Sequence, residues 1–256
     1  MKNQSLFILA KTLVITVFIS ACTSQEKPKN TVKTTPVKVD TVATKAIKTI
    51  EAKPALGIDV SHFQGEINWE EIKENNISFA YSKATEGHTY VDPKFHENWK
   101  NMTTAEISKG AYHFYTTDSD GNNQALHYIN TIKEIKKGDL PPVLDLEQGG
   151  LKAEVTVEEY QKEVINWLST VEKELGVKPI IYTNNPFANK YLNKPHFANY
   201  TLWIAEYGVK EAKTPTAWKD TGWAIWQRTE SGSIEGEVGN VDHDITKVSL
   251  ESLLVK

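Results

Sequence analysis

Residues Pro142–Thr183 read PVLDLEQGGLKAEVTVEEYQKEVINWLSTVEKELGVKPIIYT, and this stretch holds a complete strand–helix–strand unit. Pro142–Glu147 and Pro179–Thr183 are short β-rich runs. Between them Val157, Tyr160, Val164, Trp167, Leu168, Val171 and Leu175 recur at helical spacing. Thr156 stands where an N-cap belongs, with Glu159 three residues on, and Gly176 and Pro179 mark the stop. Two strands joined by a helix of this length lie parallel in one sheet.

The pattern extends in both directions. Gly57–Ser61, Ile77–Thr85 and Gly110–Tyr115 precede the unit, and Leu202–Tyr207, Trp223–Gln227 and Val241–Ile245 follow it, which makes eight β-rich runs. Eight strands alternating with helices predict a parallel sheet closed into a TIM-like β/α barrel, near the lower size limit for that α/β architecture. Helical periodicity is thin between the last three runs, so the barrel is expected to be irregular there. An open doubly wound sheet is the structural alternative, without the glycine-rich phosphate loop that usually gives it a ligand.

The folded part begins near Leu56. After Phe18 no aromatic residue appears until Phe63, and all seven Trp and all ten Tyr lie beyond. Residues 56–256 therefore read as one domain. Residues 22–55, rich in Lys, Thr, Val, Pro and Ala, cannot bury enough apolar surface to offset their ordering entropy and read as a flexible tether. A short strand or helix docked on the domain is the other reading. In residues 1–21, Lys2 and Lys11 flank or precede an apolar run that ends at Ile19-Ser20-Ala21-Cys22. This resembles a bacterial lipobox, which implies a lipoprotein signal peptide, acylation of Cys22 and a membrane anchor on the cell envelope. A plain secretory signal cleaved elsewhere is one alternative, and a short transmembrane anchor is another, for which the apolar run is short and interrupted. Cys22 is the single cysteine, so no intramolecular disulfide forms.

Residues 1–55 hold nine Lys against three carboxylates, so the formal charge of −4 leaves −10 on the rest. A domain that acidic repels phosphates, which excludes a nucleic-acid partner. No Gly-x-Ser-x-Gly elbow, His-Glu-x-x-His or phosphate loop occurs, and no cofactor is expected. His243 lies between Asp242 and Asp244, but on a strand it faces away from both, so no metal site is assigned.

In a parallel barrel the chemistry sits at the C-terminal ends of the strands. Those ends offer Asp59, Glu86, His113, Tyr115, Asp145, Glu147, Tyr182, Glu206, Tyr207, Gln227, Asp242 and Asp244. Asp145 and Glu147 are two apart and share a face, with Leu144 and Leu146 directed at the helices. Crowded carboxyls do not both ionise easily, which leaves an acid beside a charged group. Glycoside hydrolysis uses such a pair. A solvated strand end, or a carboxylate site for Ca²⁺ or Mg²⁺, would present the same residues. Tyr112, Phe114, Tyr182, Trp203, Tyr207 and Trp226, with Gln227, are the candidates for stacking and hydrogen-bonding sugar rings, although alternate members of such a set also fill cores.

Several motifs then agree in order. They are Gly57-Ile58-Asp59-Val60-Ser61 with Gln64-Gly65, Phe79 through Gly87 (FAYSKATEG), Gly110-Ala111-Tyr112-His113-Phe114, Asp145-Leu146-Glu147, Trp226-Gln227 and Val241-Asp242. Over Gly57 to Ile245 the chain resembles glycoside hydrolase family 25, the Chalaropsis-type lysozymes. The resemblance implies five β/α units plus three further strands. It also implies a muramidase that cuts the β-1,4 bond between N-acetylmuramic acid and N-acetylglucosamine in peptidoglycan glycan strands. By similarity Glu147 is the general acid/base and Asp145 its carboxylate neighbour, with Asp59 and Asp242 completing the acidic cluster. The role of Asp244 stays open. A monomer is expected, localised by its lipid tether in place of wall-binding repeats. A peptidoglycan-binding lipoprotein of weak activity, or a hydrolase of another N-acetylated glycan such as chitin, are the competing functions.

Overall fold

The structure is a computed structural model and describes residues 53–236 and 240–256. Cys22, the signal sequence and most of the tether lie outside the described residues. The described chain runs β1 (Leu56–Val60), α1 (Trp69–Glu74), β2 (Ile77–Glu86), β3 (Tyr90–Val91), α2 (Phe95–Thr104), β4 (Ser108–Phe114) and α3 (Gly121–Ile132). It continues through β5 (Val143–Asp145), α4 (Val157–Leu175), β6 (Ile180–Asn184), α5 (Asn185–Tyr191), β7 (Thr201–Ala205), β8 (Ile225–Gly232), β9 (Val241–Thr246) and α6 (Leu250–Leu253). The strands form one sheet in the order β1-β9-β8-β7-β6-β5-β4-β2-β3, and pairing of β1 with β2 closes eight of them into a barrel. All eight β-rich runs are strands of that barrel, and five β/α units precede the last three strands.

One expectation fails. The barrel is not parallel throughout, because β9 runs antiparallel to both β8 and β1. A parallel connection needs a crossover of a dozen or more residues, and only a short loop separates β8 from β9. A hairpin is what that length permits.

Strand alternation sorts the side chains. Phe79, Tyr81, Val143, Ile180, Trp203 and Ile225 fill the barrel interior. Ala111, Leu144, Leu146, Ile181, Leu202 and Ile204 point outward to the helices. Gly57 and Gly110 take interior positions where a Cβ would overlap the rings of Phe79 and Tyr81, so glycine admits two large rings into a narrow barrel. Outside, α4 buries Tyr160, Val164, Trp167, Leu168 and Val171. Its N-terminus is a capping box, with Thr156 Oγ1 accepting from Glu159 N at 3.2 Å and Glu159 Oε2 accepting from Thr156 N at 3.0 Å. Removing such a cap costs about 1 kcal/mol. Gly176 ends the helix in the left-handed region at φ 67°.

The two ends of the described chain meet at the N-terminal pole of the barrel. Ala55 N donates to Thr246 Oγ1 at 2.9 Å, and Val255 N donates to Asp139 O at 2.9 Å. Leu250, Leu253 and Leu254 pack there against the interior cluster.

Candidate active site

The opposite pole is the mouth. Parallel strands reach it with their C-terminal ends, while β9 reaches it with its N-terminal end. Asp242 therefore pairs with Asp59 at the rim, and Asp244 lies one layer deeper, opposite Gly57 and Gln227. The mouth opens into a cleft of about 240 Å³. Asp59, Asp145, Glu147 and Asp242 all line it, together with Tyr112, Phe114, Tyr182, Trp203, Tyr207 and Gln227.

Asp145 closes β5 and is buried. Glu147 keeps an extended backbone at φ −147°, ψ 174°, so alternation continues and both carboxyls face the cleft. Burial raises the Asp145 carboxyl well above its usual range, and the nearby Glu147 adds to the rise, while Lys83 opposes it. Glu147 is raised by burial and drawn back by Lys83. Asp145 Oδ1 is fully buried and has no hydrogen-bond partner among the described residues.

Asp59 and Asp242 line the cleft as a second carboxyl pair, with Asp244 beneath them. Burial, then the charge of Asp244, raise Asp59, and the hydrogen bond from Gln227 pulls it back. Burial and Asp59 push Asp242 up to about 9. Asp244 is raised by burial and by Asp242. Three carboxyls this close together in a buried setting oppose one another's ionisation. Gln227 organises the rim: its Nε2 donates to Asp59 Oδ2 at 2.7 Å, and its Oε1 accepts from Tyr182 Oη at 2.8 Å and from Tyr207 Oη. Among the described residues, no cluster of three or more His, Cys, Asp or Glu is arranged to hold a metal.

Trp226 is not in the cleft. It alternates with Gln227 and so turns outward, packing beside Trp223 with ring centroids 5.8 Å apart and donating Nε1 to Glu206 O at 2.8 Å. It belongs to the helix-side core, not to a sugar-binding face. His113 also turns outward, onto Trp167, and burial takes its pKa down to about 3. Trp203 lines the cleft floor, yet is 1% exposed and held by Asp244.

Lys83, Phe63, Gln64 and Glu230 also line the cleft, and sequence reasoning assigned them no role. Lys83 was legible, since it follows Phe79 and Tyr81 at a two-residue period on the interior face of β2. A register shift between Lys83 and Thr85 turns Thr85 outward to His113 and returns Glu86 to the cleft side. There Glu86 Oε2 accepts from Lys83 Nζ at 2.7 Å.

Comparison with known proteins agrees with this geometry. The model for Glycosyl hydrolases family 25 matches residues 58–237. Lysozyme M1 of Streptomyces globisporus is 32% identical over 206 residues, covering 77% of this chain and 69% of that protein. The uncharacterized protein YegX of Escherichia coli (strain K12) is 34% identical over 202 residues, covering 77% of this chain and 71% of its own. The crystal structure of the bacterial lysozyme from Streptomyces coelicolor superposes with a TM-score of 0.74 at 31% identity, over 78% of this chain and 94% of that one. With a family match across most of the barrel and a carboxyl-lined mouth, this chain belongs to glycosyl hydrolases family 25 and is a glycoside hydrolase.

Proposed function

We propose that this hydrolase is a muramidase that cleaves the β-1,4 bond between N-acetylmuramic acid and N-acetylglucosamine in peptidoglycan, with Glu147 as acid/base and Asp145 as its assistant. One observation carries the reading: Asp145 and Glu147, two residues apart, open together into the cleft. A carboxylate beside the acid can accept the N–H of a 2-acetamido group.

In the proposed sequence Glu147, whose pKa burial raises, gives its proton to the glycosidic oxygen as the C1–O bond breaks. Asp145 holds the acetamido N–H, and the acetamido carbonyl oxygen attacks C1. Glu147, now a carboxylate, takes a proton from water, which attacks C1 and reopens the ring. Two displacements at C1 retain configuration. Attack by the Asp145 carboxylate itself is the other retaining route. Turnover at saturation on matched glycans with and without the acetyl group separates them, since only the first requires that group chemically. Mass spectrometry of products from purified wall names the bond cut. Products that end in reducing N-acetylglucosamine, or intact wall, would overturn the muramidase reading.

Membership of a family that includes lysozymes supports a place at the envelope or outside the cell. Cys22 as an acylated anchor, with residues 23–54 as a tether of roughly 30 Å typical span, would hold it at the membrane. Cys22→Ser should move the protein out of the membrane fraction, and unchanged partitioning would exclude Cys22 as the anchor.

A further inference from the structure

Phe63 is 81% exposed and lines the cleft. A single exposed apolar ring is ordinary on a protein surface, but this one is neither isolated nor loose. The His62 ring lies 4.1 Å from it, centroid to centroid, and the Tyr90 ring lies 6.1 Å beyond His62. Tyr90 and Val91 are themselves exposed, so a row of aromatic rings stands at the rim of the cleft.

The row is rigidly mounted. The turn His62–Gln64 is closed by a capping box between Ser61 and Gln64. Asp92, whose side chain is fully buried, accepts from His62 N at 3.1 Å and meets His62 Nδ1 at 2.8 Å. Tyr90 Oη reaches the same ring nitrogen at 3.2 Å. Gln64 Nε2 donates to Asn240 O at 3.2 Å, tying the turn to the loop before β9. None of these bonds shields the Phe63 ring. Stability does not call for this arrangement, because burying the ring would serve it better. Recognition of a ligand with an apolar face does.

From this geometry we propose that Phe63, His62 and Tyr90 form an outer sugar subsite, which stacks a hexosamine ring of the glycan beyond those held over the carboxyls. The occupant follows from continuity with the cleft: a polymer threaded past Asp145 and Glu147 must leave the mouth across its rim. Pyranose rings offer apolar faces for stacking on such rings. The inference rests on the muramidase reading and specifies how the cleft extends.

The test compares peptide-free glycan strands of graded length prepared from purified wall, on wild type, Phe63→Ala and Phe63→Trp. The ratio of kcat/KM on chains of eight or more sugars to that on the shortest chain cleaved should fall about tenfold in Phe63→Ala, the loss of one good contact. The fall should lie in KM, and Phe63→Trp should restore it. An unchanged ratio would overturn the subsite, and so would a loss seen only with peptide-bearing wall, which would assign the ring to the stem peptide. Binding of the long chains to Glu147→Gln, with and without Phe63→Ala, reads the same contact apart from turnover. A wild-type protein that cuts no glycan but binds long chains through Phe63 would sink the muramidase reading and leave the subsite standing.

Discussion

Asp244 Oδ1 accepts a hydrogen bond from Trp203 Nε1 at 2.9 Å, and both side chains are 1% exposed at the base of the cleft. The pair fixes a large ring that also meets Tyr81 at 4.9 Å and Tyr182 at 5.0 Å. This gives Asp244 a positioning role, since it lines no part of the cleft. Asp244→Ala strands the indole N–H, which should cost about 1–3 kcal/mol and lower Tm by roughly 3–10 °C. Asp244→Asn keeps an acceptor and should lose much less. Thermal melts of the two variants check this, and equal losses would count against the hydrogen bond.

Glu147→Gln removes the proton donor while preserving shape. We expect a fold and glycan affinity close to wild type, with turnover reduced on the order of 10²-fold or more. Wall-lytic assays beside a binding measurement decide it, and near-normal lysis would unseat Glu147.

Lys83 stabilises the charged forms of both Asp145 and Glu147. Replacing it with Met removes a nearby positive charge, so both carboxyls should hold their protons to higher pH. The alkaline limb of the kcat/KM profile, set by loss of the Glu147 proton, should move upward in pH. A limb that stays in place, or moves down, would mean that another group controls it.

Asp242 reads as a stability cost retained for function. Its folded-state pKa of about 9 lies above the usual value of 3.8, so the folded state binds more protons than the unfolded state between those limits. Stability from this group is complete below about pH 4 and is lost as pH rises toward 9. Asp242→Asn should therefore match wild type in Tm near pH 4 and exceed it by roughly 2–4 °C or more near pH 8, while glycan hydrolysis falls. Melting curves across pH provide the check, and a constant difference at all pH values would exclude titration of Asp242 as the cause.

The strands were legible because period-two runs and helix signals agree along this chain, most clearly from Pro142 to Thr183. Strand direction was not, for Val241–Thr246 carries the same alternation whichever way it runs. Only the short link after β8 held that information. The Asp145/Glu147 pair could be read because alternation puts both on one face, and the same rule, applied to Trp226 beside Gln227, would have turned the indole outward. Lys83 was within reach of that rule too. Phe63 was not, since it lies in a turn where no periodicity tells whether a ring is buried or exposed.

Both ends of the described chain leave the barrel at the pole opposite the mouth, where Ala55 pairs with Thr246 and Val255 with Asp139. Both points of departure thus lie on the side of the barrel away from the carboxyls. A bead or a surface coupled directly beside Ala55 or Val255 would leave the mouth unobstructed. An immobilised copy would face away from its support and work on the material ahead of it.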